Sequence, residues 1–331
     1  MAITLLNMEN YMRCAGRMLG VVLALFSGSV AAQWPAKPIA LVVGSAPGSA
    51  PDVYARAITE PMTKLLGQTV IVDNRTGANG NIAAEWVARA PADGYAIWVP
   101  AQSQMEINPS AYADLRWKTA DFTGVIKGVE APNVLVTHPS VPARNLAELV
   151  AWIKANPGKV SFASFSPGTI SHFLGHQMNE RFGLDMTHIT FKGSGPQVQS
   201  LLGGHVQLGF SQIQTGLPLS TCGKLVGIAV TGATRWRQLP AVPTFAELGF
   251  PDFTASTWFG LVARAGTPPE ILAKIVDAAK AAHADPAVRE RLEQMGFDVS
   301  GQSGAEFAAS LRAGEERWAK VVRATGFRAA N

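Results

Sequence analysis

The sequence predicts an α/β protein of two lobes, each a mainly parallel sheet flanked by helices, with a ligand cleft between the lobes. Three observations predict it. Short runs of Val and Ile alternate with helical patterns, this alternation restarts midway along the chain, and loops rich in Gly and Ser follow the strands. The chain has 331 residues, 47% of them hydrophobic, which is enough for about two domains.

The N-terminal 32 residues have the order of a secretory signal peptide. Two arginines precede an apolar run at residues 18–26, and small residues follow that run up to Ala32. The apolar run is shorter than the roughly 20 residues that a membrane-spanning helix needs. We therefore expect residues 1–32 to be removed on export to the periplasm, leaving a chain that starts near Gln33 with Cys222 as its one free thiol. A single anchoring helix is the alternative.

The next hundred residues predict a βαβαβ unit. Runs rich in Val and Ile lie at residues 39–43, 70–72 and 96–99, and a helical pattern lies between each pair. The first helix should end at Gly67 and kink at Pro61. Strands joined in this way through helices form a parallel sheet.

The middle of the chain restarts the pattern and predicts a second α/β unit. We expect its strands at residues 134–137, 160–164, 188–191, 206–210 and 225–230. The last third should be mainly helical, with capping boxes that begin at Thr244, Thr267 and Ser303. Residues 257–263 form a strand pattern that we interpret as a crossover. The expected lobes are 33–133 plus 258–331, and 134–257.

The loop after the first strand has the pattern of a small-anion site. Residues 39–52 give a buried strand, a Gly/Ser/Pro loop and the start of a helix. The first N–H groups of a helix have no intrahelical partner and lie at the positive end of its dipole, so they hold an anion without Arg or Lys. The loops 74–81, 101–108, 164–171 and 193–196 follow other strands and should face the same crevice. A small carboxylate fits a crevice with so few charges.

Charge excludes one class of partner. The formal net charge is +4 and no basic stripe stands out, which argues against binding to nucleic acid.

Ten short motifs, each occurring once, follow one another along essentially the whole mature chain. They are Trp34-Pro35, Pro47-Gly48 with Asp52, the segment 72–82, Ala92-Asp93-Gly94-Tyr95, Ile107-Asn108-Pro109, the segment 155–159, Gly168-Thr169 with His172, Phe191-Lys192-Gly193, Leu239-Pro240 with Pro243-Thr244, and Trp258-Phe259-Gly260. In this order and spacing the sequence resembles the Bug-type periplasmic receptors of tripartite tricarboxylate transporters.

The resemblance implies a type II periplasmic-binding-protein fold whose lobes close on a small organic acid, without enzymatic activity, cofactor or metal. It also implies delivery of the acid to the membrane subunits of a transporter. The carboxylate would be held mainly by the first loop, through Ser45, Ala46, Pro47, Gly48, Ser49 and Asp52, and further contacts map onto Ser103, Ser164, Thr169, Gly193 and Ser194. Ser211 stands where the family often has an acid, so the resemblance favours a ligand without an ammonium group.

Four other functions are alternatives to this one: a carboxylate sensor, a metal site, a hydrolase and a nucleotide site. A periplasmic sensor of the same carboxylate, acting on a membrane signalling partner, stays open. His172, His176 and Glu180 share a helix face and are candidate metal ligands, but Phe173 stands where the zincin pattern has a Glu. An exported hydrolase would need a G-x-S-x-G elbow, and the mature chain lacks this pattern. A nucleotide site would need G-x-G-x-x-G or a P-loop, and the loop at residue 44 has neither.

Overall fold

The strands form one mixed sheet in a computed structural model that describes residues 34–329; the predicted signal peptide lies outside the described residues. The strands are β1 Ile39–Val43, β2 Val70–Asn74, β3 Ala96–Val99, β4 Phe122–Thr137, β5 Ser161–Ser164, β6 Thr187–Thr190, β7 Leu208–Gln212, β8 Val226–Val230, β9 Ser256–Arg264 and β10 Asp298–Ser303. Their order is β2-β1-β3-β9-β4-β7-β5-β6, and β8 and β10 also pair with β4.

The α-helices lie in the connections between these strands, except for the last helix, which follows β10. They are α1 Ala50–Leu66, α2 Asn81–Arg89, α3 Gln102–Glu106, α4 Asn108–Ala111, α5 Leu146–Lys154, α6 Ile170–Phe182, α7 Ser194–Leu202, α8 Ile213–Thr221, α9 Pro269–Ala284, α10 Pro286–Gln294 and α11 Gly304–Thr325. Helix α1 ends at Gly67 as predicted, and it continues through Pro61.

Two parallel units confirm the α/β prediction. One consists of β2, β1 and β3, and the other of β6, β5 and β7. Antiparallel strands join them: β9 pairs with β3 and β4, and β4 also pairs with β7. The sheet is therefore mixed, with parallel strands in its two outer parts.

Strand β4 links the two parallel units. Up to Pro132 it pairs with β9. From Asn133 onward it pairs with β7, and over residues 134–137 it also pairs with β8. The sequence indicated only residues 134–137, because two glycines, a lysine and a proline break the apolar pattern in the first part of the strand. Strand β9, which begins at Ser256, confirms the predicted strand at 257–263.

The three predicted capping boxes have different outcomes. Thr244 and Glu247 exchange both hydrogen bonds, at 2.8 and 2.9 Å, but they close a turn and no helix follows. At Thr267 the prediction is wrong, since the N-cap of α9 is Pro268; the Thr267 hydroxyl donates to the Arg264 carbonyl at 2.7 Å. Ser303 is the N-cap of α11 but makes no side-chain bond to the helix.

Two clusters of buried apolar side chains among the described residues, called the first and the second core, share helix α11. The first core includes Val42, Trp98, Trp258 and Phe307, and lies against β1, β3 and β9. The second core lies against β5 and β7. Helix α11 contributes to both, with Phe307 in the first core and Trp318 in the second. Within the described part of the chain, no helix has the length and apolar character needed to cross a membrane.

Candidate carboxylate-binding site

The first loop is fixed by a buried carboxylate. Asp52 is 1% exposed and accepts hydrogen bonds from the Gly48 N–H at 2.8 Å, Arg56 Nε at 2.9 Å and Asn74 Nδ2 at 2.9 Å. Burial by itself would raise the pKa of Asp52, but these three donors together hold the pKa below its ordinary value. Asp52 is therefore ionised near neutral pH, and it sets the shape of the loop.

The start of helix α1 remains open towards an anion. Its N-cap is Ser49, which makes no side-chain bond to the helix and pairs instead with the Ser45 hydroxyl, Oγ to Oγ 2.7 Å. Pro51 has no N–H, so the first turn offers the N–H groups of Ala50 and Asp52. The exposed residues Ala46 and Pro47 stand beside them.

The loops 74–81 and 101–108 lie beside the first loop. Asn74, at the end of β2, donates to the Ser45 carbonyl at 3.0 Å. Asn79 has a positive φ of 51° and donates to Asn108 Oδ1 at 3.1 Å, and Asn108 in turn donates to Asn81 at 2.8 Å. A left-handed conformation at a residue other than glycine costs free energy and is common at binding sites.

Helix α3 carries the remaining predicted residue of this group. Ser103 is half-buried on α3, and the helix start is closed by Gln104, whose Oε1 accepts from the Ala101 N–H at 3.0 Å. The first group therefore consists of Ser45, Ala46, Pro47, Gly48, Ser49 and Asp52, with Ser103 on the neighbouring helix α3.

The second group lies at the ends of β5 and β6. Ser164 is fully buried, and its hydroxyl bonds to His188 Nε2 at 2.7 Å. Thr169 is 4% exposed and donates to the Ser166 carbonyl at 2.7 Å. The Ser164 hydroxyl thus joins β5 to β6, and the Thr169 hydroxyl holds its own loop in this conformation.

Gly193 and Ser194 are the more accessible members of the second group. Gly193 is exposed, with a φ of 108°, and its N–H donates to the Phe165 carbonyl at 2.7 Å. Ser194 is half-buried and begins α7. Among residues 34–329, no hydrogen bond joins the first group to the second. A ligand that contacts both groups would itself connect them.

A histidine cluster lies behind the second group. His172 stacks on His188, with ring centroids 4.1 Å apart, and its Nε2 lies 2.9 Å from His176 Nε2. Burial lowers the pKa of His172 to about 3 and that of His188 to about 4, so both are neutral near pH 7. They therefore add no positive charge for an anion.

The same cluster brings three histidine ring nitrogens, from His172, His176 and His188, within 4.8 Å of one another, which makes it a candidate metal site. His172 Nδ1, however, accepts the Gly168 N–H at 3.2 Å, so in the neutral ring the proton lies on Nε2. A metal-bound histidine coordinates through one nitrogen and donates from the other. The Gly168 contact therefore favours a His172–His176 hydrogen bond over metal coordination, and Glu180 is exposed.

Comparisons with known proteins agree with this fold. Residues 54–327 match the family model "Tripartite tricarboxylate transporter family receptor". Protein BugT of Bordetella pertussis is 35% identical over 295 residues, which cover 88% of this chain and 90% of BugT. The chain therefore belongs to the tripartite tricarboxylate transporter receptor family.

Two solved relatives hold small carboxylates. Rpa4515 of R. palustris, solved with adipate, is 31% identical with a TM-score of 0.81, and the match covers 89% of this chain and 99% of Rpa4515. MatC of Rhodopseudomonas palustris, with bound malate, is 30% identical with a TM-score of 0.77, covering 87% and 100%. Receptors of this family are periplasmic binding proteins rather than enzymes.

Proposed function

We propose that this protein is a periplasmic solute-binding protein that captures a small organic carboxylate and delivers it to the membrane subunits of a tripartite tricarboxylate transporter. One observation carries the proposal: the open N-terminus of α1, whose loop is fixed by Asp52 and which contains no cation of its own. Two family members of the same fold were solved with carboxylates. The predicted contacts are the eleven residues of the two groups described above.

The ligand in this proposal is a carboxylate without an ammonium group. Ser211 is fully buried on β7. The resemblance to the family implies that this position often carries an acid, and the neutral hydroxyl of Ser211 would leave a ligand's ammonium group without that partner. Malate and aspartate are a matched pair for this point, because they differ by a hydroxyl in place of the ammonium group.

The test is a thermal-shift screen of the mature protein with adipate, malate, aspartate and an aromatic acid. A ligand that binds only the folded protein stabilises it by about 2.7 kcal/mol at a concentration one hundred times its Kd. We expect at least one carboxylate to raise the melting temperature and aspartate to leave it unchanged. If no acid raised it, the proposed function would be wrong, and hydrolysis of an added ester would point to an exported enzyme instead.

Closure of two lobes on the ligand is the second part of the proposal. The lobes would be residues 33–133 plus 258–331, and 134–257; the change of partner along β4 after Pro132 supports a boundary there. Because each group offers only part of a site, closure would surround the acid and exclude water, which strengthens each hydrogen bond. Small-angle scattering should show a smaller radius of gyration with saturating ligand. An unchanged radius would indicate a rigid site.

Export is the third part of the proposal. Mass spectrometry of a periplasmic extract should find a chain that begins near Gln33. Cys222, which is exposed, should react as a single free thiol in that chain. A membrane-bound, full-length product would show that the leader is an anchor.

A further inference from the structure

Glu106 is a buried carboxyl that no predicted ligand contact includes. It is 5% exposed and ends helix α3, which also carries Ser103. Its Oε1 accepts the indole N–H of Trp258 on β9 at 2.7 Å, and its Oε2 accepts Gln102 Nε2 at 2.7 Å. The Trp258 bond ties the proposed ligand segment 101–108 to β9, and the Gln102 bond lies within that segment.

Helix α11 closes the other side of this carboxyl. A Cβ atom at Gly314 would lie only 2.3 Å from the Glu106 carboxyl carbon, so α11 packs here because residue 314 has no side chain. Glu106 thus lies between α3, β9 and α11, and the close approach of Gly314 limits its movement on the α11 side.

The charged groups near Glu106 have other partners. On β4, Lys127 Nζ lies 2.6 Å from a Glu130 carboxylate oxygen. On α11, Arg317 donates to the carbonyls of Thr254 and Asp252, at 2.7 and 3.1 Å. The cavity beside Glu106 is lined by further charges of both signs, namely Arg235, Arg237 and Asp298. Burial raises the pKa of Glu106 to about 7, and its two hydrogen bonds and the two nearer cations only partly oppose this.

Gln102 offers Glu106 a partner in either protonation state. Gln102 is 1% exposed, and its Oε1 has no hydrogen-bond partner among the described residues. If Glu106 takes up a proton and the Gln102 amide turns over, the new O–H donates to this oxygen. The turned amide directs its NH2 group to the place that the oxygen occupied, so Glu106 keeps one hydrogen bond with Gln102 in either protonation state.

We propose that Glu106 is a positioning residue for the ligand segment 101–108, and that the charge it carries sets the affinity for a carboxylate. The inference rests on the proposed function, since it assumes a carboxylate near Ser103. Ser103 and Glu106 are one helical turn apart, about 5–6 Å between Cβ atoms. An anion at Ser103 is therefore repelled by an ionised Glu106 and tolerated by a neutral one.

Calorimetry with adipate between about pH 6 and about pH 8.5 tests the proposal, because adipate carboxyls are ionised throughout this range. The wild type should lose about tenfold in affinity as the pH rises, with a midpoint near pH 7. Glu106→Gln keeps an acceptor for Trp258, offers an N–H to Gln102 and carries no charge. It should bind at high pH as tightly as the wild type does at low pH. The exposed Glu316→Gln on α11 is the matched control and should keep the wild-type profile.

A second variant tests the same proposal in case Glu106→Gln does not fold. Trp258→Phe keeps an aromatic ring against Phe307 but removes the donor that stabilises the charged carboxylate, so it should move the midpoint to higher pH. The same pH profile in the wild type, Glu106→Gln and Trp258→Phe would overturn the inference while leaving the proposed function intact. A wild type that binds neither adipate nor any acid of the thermal-shift screen would refute the proposed function and this inference together.

Discussion

Gly48→Val should lower carboxylate affinity by at least about a hundredfold while the protein stays folded. Gly48 has a φ of 79°, a conformation that a β-branched residue adopts only at a cost of about 1–3 kcal/mol. Its N–H donates to Asp52, a bond to a charged group worth about 1.5–3 kcal/mol. A Cβ atom at this position would have no described atom within 4 Å, so the effect comes from the backbone and not from crowding. Calorimetry with adipate or malate measures the loss.

Two controls define what this result means. Gly48→Asn should keep most of the affinity, because asparagine tolerates a positive φ better than other residues. Lys192→Ala should also bind nearly normally, because Lys192 is exposed beside the turn and the proposed site holds the anion through N–H groups. If Lys192→Ala lost more affinity than Gly48→Val, a cation would be holding the ligand, and the proposed role of the loop would be wrong.

Glu106→Gln should make the protein more stable above neutral pH. The pKa of Glu106 is about 7 in the folded protein against an ordinary value of 4.5, so the folded state binds the proton more tightly than the unfolded chain. Stability from this group therefore falls as the pH rises from 4.5 through 7, and the full penalty, about 3 kcal/mol, remains above that range. The glutamine variant carries no such penalty. Its melting temperature should exceed the wild-type value by several degrees at about pH 8 and match it near pH 4.5.

The pH dependence is the decisive part of this second prediction. A rise of equal size at both pH values would mean that glutamine merely packs better. A lower melting temperature at the higher pH would mean that the charge on Glu106 stabilises the fold, contrary to its burial. Glu316→Gln should change neither value, since its side chain is exposed.

Local sequence signals predicted the parallel parts of the fold and the loops that follow them. Strands β1 and β3 match the expected ranges, because apolar runs between turn residues depend on near neighbours. The role of Asp52 was also predictable, since an acid in the first turn of a helix caps or fixes that turn. These features need no knowledge of distant contacts.

Distant contacts explain what sequence reasoning missed. Glu106 gave no signal, because Trp258 and Gly314 lie more than 150 residues away along the chain. The first part of β4 was missed because pairing with β9 overrides its weak strand propensity. Ser164 and Thr169 were expected at the ligand, and the structure shows both hydroxyls hydrogen-bonded within their own half of the molecule.

Helix α11 follows every other described helix and strand in the chain, yet it supplies Phe307 to one core and Trp318 and Val322 to the other. During synthesis, neither core can be completed until this helix has left the ribosome. A chain that stops before residue 304 would leave apolar surface exposed in both cores, and exposed apolar surface promotes aggregation. The packing of both cores thus depends on one segment that is synthesised last. The yield of folded receptor should therefore depend on complete translation of the chain.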